Sequence, residues 1–384
     1  MSDSCTRRIT YFDGLRGVAC IQVVACHYAI AFYPAMTLGL GFLTDGTFAV
    51  CIFFLLSGYV LTQAFAASTA TPLTLIVRRL LRLCLPAYAA VVISGLMESP
   101  GQNNAAIAHA AVGWPASFPT PLFAGPGFPY DLSGTEILFG YRNTWPLYAS
   151  WLPAGKISVD SPLWTMSIEI MGSLLVLALV LVWRHARRAH LLSIISALVL
   201  FREDYLVLFV LSHGIAVMGH KTSPGRRAVL TPIFLMLAAV LLCSGYHPIV
   251  LNNYNDKIAA VLFFLGVLTA PWLQNFLRGP IPQFIGTVSF PTYLLHYPVL
   301  VLAGSTLFLA LYPLGHWPAL IISWAGGTVL TLGLAMVFER FVDAPVIRLS
   351  HRVALSWPFP AERLAQRAEP GAGAPLQEPQ KKPN

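Results

Sequence analysis

Two histidines, His27 and His296, fall near the midpoints of apolar segments that are each long enough to cross a lipid bilayer. A polar side chain at that depth is costly unless it lines a wet path or meets a reacting partner, so the pair points to chemistry inside the membrane. Arg16 precedes His27 by eleven residues, which on a helix is about 20° from the same face and about 16 Å along the axis. Asp13 is offset from His27 by about 40°, so a helix reaching back to Asp13 carries one polar stripe from the surface to mid-membrane. Such a stripe suits a long anionic molecule whose reactive end points inward. The plain alternative for His27 is a hydrogen-bonded residue on a packed helix face.

Further polar groups occur in other apolar segments. Arg78, Arg79 and Arg82 lie within about a 100° arc at one membrane edge, where they serve either topology, lipid phosphates or a phosphorylated ligand. Glu169 sits about two turns inside another segment, as a functional acid or as half of a structural ion pair. Ser289, Tyr293 and His296, spaced i, i+4 and i+7, form a third polar stripe that either faces a substrate or fixes helix contacts. Ser57-Gly58 reads as a close-contact point between helices, and His213 as structural.

The elements that must position these groups are transmembrane helices. The mean hydropathy is +0.67, 56% of residues are hydrophobic and 10% are charged, which excludes an ordinary soluble domain. We expect an all-α, polytopic transmembrane helical bundle of about ten spans near 17–34, 46–67, 80–97, 162–183, 191–201, 205–219, 229–245, 258–274, 284–305 and 318–340. Residues 191–201 give only about 17 Å of helix, so 191–219 is either extended at its start or a broken hairpin turning at 202–205. The net charge of +8 does not imply nucleic acid. With the N-terminus inside, all Lys and Arg except Arg142, Lys156, Arg202 and Lys257 fall on the cytoplasmic side, and the acids show no such bias.

The expected organisation is a cytoplasmic segment 1–16, a membrane domain 17–350 and a disordered cytoplasmic tail 351–384. An outer loop, 98–161, is rich in aromatics. It fits a lid on the bilayer surface or a platform for sugar rings. The first span is expected to act as an uncleaved insertion signal. The six cysteines show neither metal spacing nor a disulfide framework.

In order along the chain, several segments resemble the acyltransferase-3 family of integral membrane O-acyltransferases. They are Phe12-Asp13-Gly14-Leu15-Arg16-Gly17 with His27, Phe53-Phe54-Leu55-Leu56-Ser57-Gly58, the Arg78-Arg79 to Pro86 stretch, Pro162 to Glu169, and Gly286 to Pro298. Thr165 stands where that family commonly has Ser, and Asp343-Ala344-Pro345 where it has Glu-x-Pro. The resemblance implies transfer of an acyl group, commonly acetyl, from cytoplasmic acyl-CoA (acetyl-CoA) to a hydroxyl of a carbohydrate, glycolipid or related acceptor across a plasma membrane, the inner membrane of a bacterium. No permanently bound cofactor and no metal is expected, and both termini are expected in the cytoplasm. His27 would be the general base, Asp13 would orient Arg16, and Arg16, Arg78, Arg79 and Arg82 would bind the donor. Glu169, Trp164, Ser167, Ser289, Tyr293 and His296 would shape the acceptor end or steady the intermediate. The competing class is a transporter or exporter of lipid-linked or small organic substrates, which ten or so spans with buried polar groups also fit.

Overall fold

The computed structural model describes residues 9–32, 41–112, 130–131, 157–158, 161–219, 223–244 and 254–356. The architecture is an all-α polytopic bundle, and its one non-helical pairing among the described residues joins Tyr130–Asp131 to Ile157–Ser158. The first four helices are α1 (Thr10–Phe32), α2 (Gly46–Ala67), α3 (Pro72–Ala111) and α4 (Trp164–His185). Next come α5 (Arg187–Leu200), α6 (Leu206–Met218), α7 (Pro224–Ser244), α8 (Tyr254–Thr269) and α9 (Pro271–Leu277). The last four are α10 (Pro280–Val299), α11 (Ser305–Leu311), α12 (His316–Phe338) and α13 (Ala344–Ser356). A π-helical turn, Leu300–Gly304, joins α10 to α11, and another, Glu339–Asp343, joins α12 to α13.

Seven helical segments among the described residues are long and apolar enough to cross a membrane, or eight when the α8–α9 pair is taken as one span. This is fewer than the ten expected. The difference is α5 and α6, with 14 and 13 residues. Each gives about 20 Å of helix against an apolar core of about 30 Å. They form a broken hairpin that starts within the basic stretch at Arg187 and turns over residues 201–205, where charged side chains interrupt the apolar run. The α8–α9 pair bends by 93° at Ala270, just before Pro271. Proline cannot continue the backbone ladder, and the Gln274 amide donates to the freed carbonyls of Val267 and Leu268 at 2.9 and 3.1 Å.

Two helix boundaries move functionally relevant residues. α1 begins at Thr10, earlier than the expected span, so Asp13 and Arg16 are helical. α3 runs to Ala111, past the expected loop boundary at 98. Of that loop's aromatics, Tyr130 lies in the short strand pair. Trp114, Phe118, Phe123, Phe128, Tyr141, Trp145 and Trp151 fall outside the described residues. The C-terminal segment is helical to Ser356, and 357–384 fall outside the described residues.

α1, α2, α4 and α10 form the centre of the bundle, whereas α7 and α12 turn apolar side chains such as Met236, Val240, Val329 and Val337 outward. In lipid there is little hydrophobic drive between helices, so close backbone approach must hold them. The seam between α1 and α10 shows how. A Cβ on Gly17 would lie 2.6 Å from the Gly286 nitrogen, and one on Gly286 would lie 2.2 Å from the Asp13 carbonyl oxygen. Within the seam the wholly buried Cys20 donates from Sγ to the Ser289 carbonyl at 3.2 Å. Gln283 ties the two helix starts together by donating to the Thr10 and Leu277 carbonyls, both at 2.8 Å. At the start of α2, the buried Asp45 caps the helix by accepting from the Phe48 amide at 2.8 Å. At its far end, Arg184 of α4 donates to the terminal carbonyls of Ala66 and Ser68 at 2.6 and 2.7 Å.

Candidate active site

A cavity of about 550 Å³ opens inside the bundle, a size typical of small-molecule sites. α1 lines it with Phe12, Asp13 and Arg16, and α2 lines it from Val50 to Ala64. α3 contributes Arg79, Arg82 and Leu83, α4 Thr165, Met166 and Glu169, and α10 Ser289, Phe290 and Tyr293. Ile347 of α13 completes the wall. The opening lies where Val60, Ala64 and Arg82 are exposed, at the end of the bundle shared by the start of α1, the end of α2 and the start of α3.

Charges sit around this cavity in two layers. Near the opening, Arg16 donates to Asp13 at 3.4 Å, with the Arg16 side chain 32% exposed. Arg82 is exposed and has no ion pair among the described residues. Deeper, Arg79 reaches the midpoint of α2 rather than staying at the membrane edge. It pairs with Glu169, donates to Ser57, and directs its Nε to Ser173 at 2.9 Å. Ser57 also donates to Glu169. The network joins α2, α3 and α4, and it takes up donors of the Arg79 fork that would otherwise meet a ligand. Gly58, next to Ser57, holds the close contact expected of it, since a Cβ there would lie 2.1 Å from Ser212 Oγ.

The inner end of the cavity is closed by rings. Phe53 and Tyr293 meet edge to face at 5.9 Å, and the Tyr293 and His296 rings are 5.7 Å apart. Tyr293 donates to the Pro162 carbonyl at 2.8 Å and lies 2.7 Å from Thr165 Oγ1. One turn beyond this plug is the histidine pair, with His296 Nε2 3.3 Å from His27 Nδ1 and ring centroids 4.9 Å apart. His27 therefore faces into the bundle. Neither histidine belongs to the cavity wall, which ends at Tyr293.

Backbone carbonyls assign the tautomers of this pair. His27 Nδ1 is 2.9 Å from the Val23 carbonyl and His296 Nδ1 is 2.7 Å from the Tyr293 carbonyl, so both Nδ1 atoms carry hydrogen. His296 then offers Nε2 as an acceptor to His27, and the Nε2 lone pair of His27 has no hydrogen-bond partner among the described residues. A half-buried imidazole with a fixed tautomer and an open basic nitrogen is the arrangement a general base needs.

Asp13, Arg16, Arg79, Arg82, Glu169, Ser289 and Tyr293 thus share one cavity, and His27 joins His296 beyond its end. Ser289 donates to its own helix, at the Gly286 carbonyl 2.8 Å away. Ser167 does likewise at the Trp164 carbonyl, 2.9 Å away, and Trp164 lies against Tyr205, with ring centroids 5.6 Å apart. Neither Trp164 nor Ser167 lines the cavity. Arg78 also lies off it, beside His351. Ser57, which the sequence reads first as a helix contact, also lines the cavity, and its hydroxyl is bound to Glu169 and Arg79. His213 is wholly buried and structural in its contacts, lying 2.9 Å from both His190 Nε2 and Thr62 Oγ1. Among the described residues no cluster of His, Cys, Asp and Glu has the arrangement of a metal site.

The acyltransferase-3 family profile, described as an acyltransferase domain, matches residues 9–340, most of the chain. The protein belongs to that family and is an integral membrane acyltransferase. No curated protein and no solved structure gives a significant match.

Proposed function

We propose that this acyltransferase moves an acyl group, acetyl foremost, from acyl-CoA on the cytoplasmic side to a hydroxyl of a carbohydrate or glycolipid acceptor on the opposite side. The observation that carries this reading is the succession of a basic opening, an internal cavity, a plug of two rings and a histidine pair one turn beyond it. Coenzyme A is a polyanion on a long thin arm. Arg16 and Arg82 suit its phosphates, and the mostly apolar wall formed by Phe12, Val50, Phe54 and Met166 suits the arm.

The chemistry follows from the tautomers. His27 Nε2 takes the proton of the acceptor hydroxyl as its oxygen attacks the thioester carbonyl. Collapse of the tetrahedral intermediate breaks the carbon–sulfur bond, and the departing thiolate recovers the proton from His27. His296 holds the ring of His27 and shares its new charge. In the arrangement described, the Phe53 and Tyr293 rings separate cavity from histidines, so the thioester must displace them to react. Arg79 acts as a positioning residue through Glu169 and Ser57.

With the α8–α9 pair counted as one span the crossings are even in number, which supports reading both termini on one side, and the short α5–α6 hairpin leaves that parity unchanged. The basic ends of α3, α4 and α13 support assigning that side to the cytoplasm of an inner membrane. The transporter alternative loses ground to the family assignment. It also lacks a second broken span among the described residues to match α8–α9.

The test uses native membranes containing the acceptor and radiolabelled acetyl-CoA. His27→Ala is expected to lower transfer by about 10²–10⁴-fold. Arg16→Ala is expected to raise the KM for acetyl-CoA. Unchanged transfer in both variants would overturn the proposal.

A further inference from the structure

The family match stops at residue 340, and α13 lies beyond it. Yet α13 packs along the start of α3 and supplies Ile347 to the cavity wall. His351 is one turn further along the same face, and there Arg78 Nη2 lies 2.5 Å from its Nδ1. Arg78 and Arg82 are likewise one turn apart on α3. The two helices run antiparallel, so one side of their contact presents Arg82 and Ile347 at the cavity opening and the other presents Arg78 and His351 just outside it.

The charges there are unbalanced. Among the described residues no carboxylate forms an ion pair with Arg78, Arg82, His351, Arg348 or Arg352. The nearest acid in the segment is Asp343, one turn deeper than Ile347, whose buried Oδ1 has no hydrogen-bond partner and which acts on Arg82 across space. A guanidinium can only donate, so the His351 nitrogen beside Arg78 accepts and the ring is neutral there. A protonated ring at that distance would be repelled unless an anion lay between the two.

We infer that Arg78 and His351 are the two jaws of a phosphate site at the opening of the cavity, completed by α13. A phosphate accepts two bonds from the Arg78 fork and one from the protonated imidazole, which takes up a proton as the anion arrives. The charged groups around the ring are Arg78 and Arg82 from α3, with Asp343, Arg348 and Arg352 from its own segment. All but Asp343 favour the anion. The same chemistry fits a phosphate of the donor or of a lipid headgroup. The donor is the assignment that rests on the proposed function.

The full-length protein in phosphatidylglycerol-containing nanodiscs tests this by titration calorimetry with CoA and with phosphate-free pantetheine. His351→Gln is expected to weaken CoA about tenfold, the value of one charge-assisted bond, and to leave pantetheine unchanged. His351→Arg, which keeps a cation, is expected to restore affinity. Wild-type affinity for CoA is expected to be higher at pH 6.5 than at pH 8.5, and that difference is expected to shrink in His351→Gln. Unchanged CoA affinity with lost retention of phosphatidylglycerol would overturn the donor assignment in favour of lipid phosphate. Unchanged affinity for both would overturn the site. A wild-type protein that binds no CoA defeats the acyl-CoA reading itself, and the lipid measurement then decides the site alone.

Discussion

The pair Arg79–Glu169 lies within the bundle with side chains 15% and 10% exposed, and its removal gives a sharp test of what holds the cavity open. Neutralising one partner of such a pair strands the other, at a cost of about 3–5 kcal/mol, whereas replacing both with apolar groups of similar size is close to neutral. Ser57 and Ser173 still accept from a stranded Arg79, so the lower end applies and Glu169→Gln should cost about 3 kcal/mol. Arg79→Met should cost about as much, by stranding the carboxylate. The double variant, which leaves a Gln amide in place of the carboxylate, should cost about 3 kcal/mol, no more than either single change, giving a coupling energy of about 3 kcal/mol, or about 10²-fold in the unfolding equilibrium. Denaturant unfolding of the purified protein in one detergent measures all four corners of this cycle. Additive losses, or single losses below about 1 kcal/mol, would refute the idea that the pair is a buried tie. A stable double variant without transferase activity would place Glu169 or Arg79 nearer the reaction than the geometry requires.

Two further predictions concern the frame around the site. Gly286→Ala sets a methyl group against the Asp13 backbone, which cannot swing aside, and should cost about 3 kcal/mol. Gly214→Ala, with nothing within 4 Å, should instead gain about 0.5–1 kcal/mol, and thermal unfolding compares the two. Burial pushes the Asp45 carboxyl from 3.8 up to about 6, so its stability penalty is absent below the lower value and complete above the higher one. Asp45→Asn keeps an oxygen to cap α2 and should therefore stabilise by about 2–3 kcal/mol at pH 8 and by almost nothing below pH 4. Equal effects at both pH values would contradict the assignment.

Much of the bundle is legible from hydropathy alone, because lipid forces every crossing segment to satisfy its own backbone. The Asp13–Arg16 stripe was legible too, since helical spacing fixes which residues share a face. The failures have physical causes. Arg78, Arg79 and Arg82 read as one cluster, but one residue step is about 100° of rotation. That step sends Arg79 inward to Glu169 while Arg78 and Arg82, a turn apart, face α13. The meeting of His27 with His296, and of Ser57 with Glu169, depends on tertiary contacts that no local pattern encodes. The shortness of 191–201 already marks 191–219 as a possible broken hairpin, and only the lengths of α5 and α6 in the fold, 14 and 13 residues, remove the two from the span count. Residues 351–356, which composition groups with the tail, continue α13, and that helix contacts α3.

The thiol of Cys20, one turn above Arg16 in the α1–α10 seam, bears on which nucleophile can intercept an activated acyl group. With acyl-CoA as the proposed donor, thioester exchange onto a cysteine is nearly isoenergetic, so an accessible sulfur beside the cavity would compete with the acceptor. Here the sulfur is sealed from solvent and its hydrogen is donated to the Ser289 carbonyl, so it does not face the cavity. On the proposed transfer to a hydroxyl, the glycine-tight seam that joins two helices also keeps this sulfur away from the acyl group.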